Sequence, residues 1–554
     1  MNYQRNSRKN YINKKFLYII LLGLLGFSQN NDARCAQKVR TNKRPYCGLR
    51  RCAQCLYGKT FLQPRSQNTN TARRAVGHHN FRHQYCEDKF TGAFTVTPQY
   101  GQTFKPYHIA QYFCATNTLD FTGSLAIDQE PDAVFSCLRC NNNILADYFG
   151  LSPAFDGTVI LKPEIKTFLF DFELFLEFGR GVYFQAYTPL VRTKSGIGLC
   201  EKVYQSGLDT PFPAGYMADE QIEAPVSCIS QALKGDVTFG DASQGLKYGK
   251  FCCENKITDL ADVTFLLGYI FKNTERGYIG GNVQVTAPTG TRPNGVYIFE
   301  PIAGNGHHWE LGLGMIGQRL IWEKDGEQTL HFNVALNFSH LFTTCQCRSF
   351  DLKCQRFWSR YILLKEFDKD GNYSSKLVPA INVTTLPCKV KINFQMDLNL
   401  MFAYNRNNWE FDFGYNVWLR SHEKICLTGK IPENRYAFKG IQNVSGLDAN
   451  ITESSATIYG HNLEDQEQVA DQISPVFLKT SDIDISSAET PKSLTHKLYW
   501  HLSYAWCDKD MRATPYLGGG WEIEFESVNP RYTCPYKNTL YQWALMMKFG
   551  IDFS

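Results

Sequence analysis

The chain has 554 residues, 43% of them hydrophobic and 14% aromatic, with a formal net charge of +5. So small a charge on this length gives no case for a nucleic-acid partner, and the length allows either several ordinary domains or one large barrel with long loops. The mean hydropathy of −0.32 looks soluble, but a membrane barrel dilutes its lipid face with lumen and loop residues, so the average does not exclude one.

In chain order, Arg5, Arg8, Lys9, Lys14 and Lys15 precede the apolar run FLYIILLGLLGF (16–27). A basic stretch followed by a short apolar core predicts a secretory signal peptide over 1–28, with cleavage after Ser28; a site after Ala33 also fits. The run is short for a membrane helix, and no later segment is apolar enough for one, so a membrane protein of this sequence must span as strands. Residues 29–88 are rich in Cys and Arg and lack periodicity. They read as a solvated arm, a lumen plug, or a disulfide-tied module, with CGLRRCAQC (47–55) favouring some tying. Nineteen cysteines agree with export. Cys52-x-x-Cys55 and Cys137-x-x-Cys140 have zinc-site spacing, yet an oxidising compartment makes structural disulfides the expectation. The pairs His78–His79 and His307–His308 read as loop residues. No metal and no cofactor is expected.

From residue 89 to 554 the chain alternates polar and apolar residues in about twelve runs. In a strand, successive side chains point to opposite faces. FTGAFTVTP (90–98) is the first run. FLFDFELFLEF (168–178) places Asp171, Glu173 and Glu177 on its wet face, and VYFQAYT (182–188), VTFLLGYIF (263–271), YIGGNVQVTA (278–287) and WELGLGM (309–315) are weaker cases. LHFNVALNFSH (330–340) follows. The clearest pair is KVKINFQMDLNLMFAYNRNNWEFDFGYNVWL (389–419). Strict alternation there puts Lys389, Lys391, Asn393, Gln395, Asp397 and Asn399 on one face and Val390, Ile392, Phe394, Met396, Leu398 and Leu400 on the other. After the turn NRNN, Glu410 and Asp412 oppose Trp409, Phe411 and Phe413. WHLSYAW (500–506), WEIEFE (521–526), with Glu522, Glu524 and Glu526 on one face, and WALMMKFGIDF (543–553) complete the set. The clearest runs have about a dozen residues. That suits a tilted transmembrane strand of roughly 9–11 better than a soluble strand of about 5–6.

The connections carry a second signal. Short ones (178–181, 273–277, 323–328, 405–408, 507–512) alternate with long ones (about 99–157, 200–257, 289–306, 348–387, 426–494 and 528–537). An up-and-down membrane barrel has this pattern, with short periplasmic turns and long outer loops, and an even strand count places both termini at the short-turn side. Trp309, Trp322, Trp409, Trp418, Trp500, Trp506, Trp521 and Trp543 lie near the predicted strand ends, where an interfacial aromatic girdle would form. The rival is a secreted, disulfide-bonded all-β protein. Four glycosylation sequons beginning at Asn372, Asn382, Asn443 and Asn450 fall in predicted loops, but a sandwich has no use for such long one-faced strands.

The last run, WALMMKFGIDFS, resembles the terminal strand of bacterial outer-membrane barrels, which the barrel-insertion machinery reads; here Ser554 follows the aromatic Phe553. The chain thus resembles porin-type barrels over residues 90–554. DVTFLLGYIF (262–271) with NVQVTAPTG (282–290) and HHWELGLGMIG (307–317) is also similar to the strand–Pro-Thr-Gly–strand layout of barrels that take up aromatic compounds and fatty acids. ILADYFGLSP (144–153) resembles segments of uncharacterised barrels in host-dependent bacteria. The resemblance implies an outer-membrane location and lipid as the surrounding partner.

The expected fold is therefore all-β: a transmembrane up-and-down antiparallel barrel of about twelve strands with long extracellular loops. The expected function is a porin-like channel for small hydrophilic solutes. Its narrow lumen would be lined by Asp171, Glu173, Glu177, Lys389, Lys391, Asn393, Gln395, Asp397, Glu410, Asp412, Glu522, Glu524 and Glu526, and the excess of carboxylates would prefer cations. A hydrophobic-substrate transporter, with Leu169 and Phe175 forming a greasy patch, and a surface structural or adhesive barrel are the alternatives. An enzyme is not expected. His501 and Ser503 share a face, but i and i+2 neighbours on a strand stand roughly 6–7 Å apart, beyond hydrogen-bond reach.

Overall fold

The structure is a computed structural model. It describes residues 58–77, 82–83, 90–114, 117–123, 125, 143–212, 223–242, 244–251, 254–353, 357–439, 477–506, 513–526 and 540–553. The expected signal peptide, both CxxC pairs and His78–His79 lie outside these residues. Twelve long strands form the wall: β1 (Thr91–Thr103), β2 (Glu164–Glu177), β3 (Val182–Gly196), β4 (Val263–Thr274), β5 (Gly277–Ala287), β6 (Glu310–Lys324), β7 (Gln328–Ser349), β8 (Thr385–Arg406), β9 (Trp409–Arg420), β10 (Ser493–Ala505), β11 (Ala513–Glu526) and β12 (Gln542–Phe553). Each pairs antiparallel with its sequence neighbours, and β12 returns to pair with β1, from Gly92 opposite Phe553 to Thr103 opposite Gln542. The sheet is closed, so these strands leave no edge.

All twelve predicted runs are present, and short and long connections alternate as expected. The short ones are hairpin turns. Asn407 has a φ of 54° in the turn before β9, and Asp325 and Gly326 have φ of 56° and 69° before β7; Asn, Asp and Gly tolerate this left-handed region best. Outside, the apolar file faces the surroundings. Phe168, Phe170, Leu313, Met315, Phe402, Phe411, Phe413, Leu545 and Met547 are all exposed. In water such a surface would aggregate. Around a closed, even-stranded barrel it is the lipid-facing belt, and the architecture is that of bacterial outer-membrane barrels. Trp309, Trp322, Trp409 and Trp506 are exposed near strand ends, whereas Trp500 is exposed in the middle of β10. Trp418 departs from the girdle: it is 1% exposed and points inward.

The long connections converge on one end of the barrel as a packed cap. A helix (Pro106–Phe113) and a four-stranded sheet (Thr118–Thr122, Asn143–Leu145, Asp156–Leu161, Leu199–Gln205) share one apolar core around Phe113, Phe121, Phe155 and Phe251. A three-stranded sheet (Leu363–Phe367, Tyr373–Pro379, Tyr436–Phe438) builds a second, around Leu363, Leu364, Leu377 and Phe438. Two short strands extend the wall at this end, Asn255–Leu260 on β3 and Glu423–Leu427 on β8.

The upper part of β8 corrects the sequence reading. Ser339 pairs with Gln395 and Leu341 with Ile392, so β8 carries an extra residue; Leu341 to Thr344 then opposes Ile392 to Val390, so β7 carries one as well. Each bulge inverts the alternation beyond it. Val390, Ile392 and Cys388 therefore turn inward, Val390 and Cys388 joining the cap core, while Lys389, Lys391 and Asn393, expected in the lumen, are exposed on the outer wall. Alternation carried on through the bulge assigns them to the wrong face.

Candidate functional site: a lumen filled by its own chain

Asp171, Glu173 and Glu177 on β2, Gln395 and Asp397 on β8, Glu410 and Asp412 on β9, and Glu522 and Glu524 on β11 are all buried. Leu169 and Phe175 face inward among them at 4% and 2% exposure. Glu526 ends β11, and its side chain is outside the described residues. The sequence reading missed Gln99 on β1, Lys497 on β10 and Asn416 on β9, which are buried on the same wall. Gln99 lies just beyond the predicted first run, and Lys497 just before the predicted tenth. Continuing either alternation outward would have found it.

What the acids face is residues 58–77 and 82–83. Gly58 sits in the cap, where its N–H donates to the Phe113 carbonyl at 2.7 Å and its carbonyl accepts from Arg360 Nη2 at 3.1 Å. From there the chain descends the lumen to His83, whose backbone N–H donates to Glu177 Oε2 at 3.2 Å beside the β2–β3 turn. The first described residue therefore lies at the long-loop end, whereas strand parity places both termini at the short-turn end. The segment turns back through the barrel before β1 begins, which strand counting cannot register.

Three arginines of this plug meet acids of the wall, while Lys59 donates to the backbone carbonyls of Ser486 and Glu489 and Arg74 stacks on Tyr187. Arg73 Nε is 2.7 Å from Asp171 Oδ2, and its remaining nitrogens donate to Gln99 Oε1 and the Gln67 carbonyl, both at 2.7 Å. Arg65 lies 3.1 Å from Asp397 and 3.7 Å from Glu524, with its guanidinium 5.8 Å from the Trp418 ring centroid. Trp418 points inward to make this stack. Arg82 reaches Glu173 at 2.7 Å and stands over the Phe175 ring. Lys497 of the wall bridges Glu522 and Glu524 at 2.9 and 3.4 Å. Buried charges need such partners. Asp171, Glu173, Asp397, Glu522 and Glu524, which would have made an open lumen cation-preferring, are thus paired in place.

A single helical turn, Thr71–Ala75, sits at mid-lumen. Alone, five residues would not hold a helix. Here its ends are met by complementary charge. Thr71 N and Oγ1 donate to Asp397 Oδ2 at 3.3 and 2.7 Å. Asn70 Oδ1 accepts from Arg73 N at 3.3 Å as the N-cap. At the other end, Lys548 Nζ donates to the carbonyls of Arg73, Arg74 and Val76 at 3.3, 3.0 and 2.9 Å. An acid at the N-terminus and a cation at the C-terminus suit the helix dipole. Gly77 closes the segment with φ +86° and donates its N–H to Asp412 Oδ2 at 2.9 Å; a Cβ there would stand 2.8 Å from His501 Cε1. His501 and Ser503 are buried wall residues, and His501 is 3.5 Å from Asp412. His308 is turned to the Phe342 carbonyl, 2.7 Å from its Nδ1. Of the described cysteines, Cys200, Cys228, Cys345, Cys347, Cys388 and Cys426 carry free thiols.

Between plug and wall, below the cap, a cavity of about 80 Å³ remains. Leu62, Ile165, Leu169 and Phe299 give it an apolar side, and Arg65, Arg73, Lys497 and Glu522 a charged one.

No protein-family model matches the chain, and no curated protein matches it in sequence. Solved structures do resemble it. An outer membrane channel from Pseudomonas putida F1 has a TM-score of 0.34 at 8% identity, covering 86% of this chain and 100% of its own. A FadL homologue from Pseudomonas aeruginosa has 0.28 at 8%, covering 89% and 99%. The β domain of the Bordetella autotransporter BrkA has 0.26 at 8%, covering 84% and 100%. With TM-scores this low, none of these likenesses bears on what the chain does.

Proposed function

We propose that the protein is an outer-membrane channel held shut by residues 58–77 and 82–83, which admits a small solute only when this plug shifts. The observation that carries this reading is the lumen itself. A barrel of this size stands between the filled eight-strand and the open sixteen-strand cases, and here the chain's own segment occupies the interior. The porin-like reading, a standing passage for hydrophilic solutes, would need that space free. The residual cavity favours a solute with an apolar body and a polar head, since it offers both kinds of lining.

The test is conductance in a planar bilayer. The full chain is expected to be silent, and a chain lacking residues 58–83 to show stable single-channel steps. The deletion removes Arg65, Arg73 and Arg82 from the lumen and leaves Asp171, Glu173 and Asp397 without them, so the opened pore should prefer cations under a salt gradient. Stable steps from the full chain would restore the porin-like reading. A folded but silent deletion chain would favour a sealed surface barrel.

A further inference from the structure

We propose that the outer wall above the β7–β8 bulges binds the phosphate-bearing headgroup of a lipid in the outer-facing leaflet. Three lysines meet there. Lys391 on β8 pairs directly with Lys424 on the neighbouring short strand, and Lys389 stands one pair along, opposite Cys426 on that strand and Cys345 on β7. All five side chains are exposed. Like charges directly opposite across a ladder are unfavourable, and among the described residues no carboxylate offsets these. The one acid on these upper strands, Glu423, is turned inward and buried, 3.6 Å from Arg348. Elsewhere at this rim the bases do have acids: Lys166 is 2.8 Å from Glu164, and Lys194 is 2.8 Å from Glu254.

The height of the patch identifies its occupant. Beside and below it the wall is aromatic and outward-facing: Phe338, Phe342, Phe394 and Trp309 are exposed, Phe342 lies on the stretch of β7 that faces Lys391, and Phe338 and Phe394 are in contact at 5.8 Å between centroids. That cluster is the upper margin of the lipid belt. Lys391 is three residues beyond Phe394, which is roughly 8 Å higher on a tilted strand. This is where lipid headgroups lie. Paired bulges place the lysines there and turn Val390 and Ile392 inward. An anion between Lys391 and Lys424 would turn a repulsive pair into a two-pronged clamp.

The test uses the full chain purified in non-ionic detergent, with diphosphorylated lipid A as probe and native mass spectrometry to count retained lipid. Wild type should retain the probe and should not retain its dephosphorylated form. The triple variant Lys389→Gln, Lys391→Gln, Lys424→Gln should lower affinity about a hundredfold, each lysine near an anionic surface contributing about a factor of five. The corresponding triple Arg variant should keep it, as should Lys166→Gln with Lys194→Gln. Lys424→Gln alone relieves the like-charge pair without harm to the fold and should cost about fivefold, which decides the matter if the triple variant does not fold. Unchanged retention by the Gln variants, equal binding of dephosphorylated lipid, equal loss in the Lys166/Lys194 control, or complete displacement by inorganic phosphate would each overturn the proposal.

Discussion

Neighbouring residues on one strand of this barrel live in opposite media. Phe394 is exposed on the belt, whereas Gln395, one residue on, is 5% exposed and turned toward Ser339 and Thr69 of the plug at 3.4 Å. Leu398→Arg, on the same outward file and nearer the midplane, should therefore block membrane insertion, because a charge at the lipid-facing midplane costs about 2–4 kcal/mol, whereas Phe394→Arg at the belt's upper margin should cost less. Gln395→Arg should leave insertion intact and disturb the seating of the plug. Heat-modifiable gel mobility after refolding into vesicles separates the two effects; equal damage from Leu398→Arg and Gln395→Arg would refute the face assignment. Strict alternation makes this contrast legible in the sequence. It also misled at Lys389, Lys391 and Asn393, because a bulge is a backbone event whose only local trace is two outward residues in succession, Asn393 and Phe394.

The plug is an element held by charge rather than by apolar burial. Its buried apolar contacts in the lumen are few: Ala72 and Val76 against Met401, Ala403, Tyr499 and Met546. Its ion pairs are nearly dry, with side-chain exposures of 2% and 3% for Arg73 and Asp171. Removing one member of such a pair strands the other, at a cost of about 3–5 kcal/mol. Arg73→Ala should thus loosen residues 65–77 and produce intermittent conductance without lowering barrel content. A silent Arg73→Ala channel with unchanged amide-exchange protection in this segment would show that the pair does not hold the plug. Basic residues over 29–88 and acids on the strands are both visible in the sequence, and a lumen plug is one of the three readings it allows. Which arginine meets which carboxylate depends on register around the closed barrel, and no local pattern encodes that.

At the scale of the whole molecule, barrel and cap answer to different solvents. The cap buries lysines: Lys365 is 1% exposed, and burial pulls its ammonium down to about 7 despite the charge of Asp241. Lys439, also 1% exposed, is lowered for the same reason. A lysine depressed when folded holds fewer protons than its unfolded counterpart between about pH 7 and 10.5, so stability rises with pH across that window and the full penalty applies below it. Lys365→Met should therefore raise the cap's resistance to proteolysis most at about pH 6 and lose that advantage above about pH 10, where the wild-type lysine is neutral in both states. An advantage independent of pH would trace the effect to packing instead.

By itself the sequence determined the barrel. Twelve one-faced runs, alternating short and long connections and a wet file of acids specify a closed wall with an oily outside, because a period of two is a local property of strand geometry. Only the tertiary structure decided what fills and covers that wall. The seating of residues 58–77 and 82–83, the stacking of Arg65 on Trp418, the bulges that move Lys389 and Lys391 to the outside and the joining of distant loops into one cap all depend on residues far apart in the chain. Closure brings them together, and their pairing is set by shape and charge rather than by any repeat along the sequence.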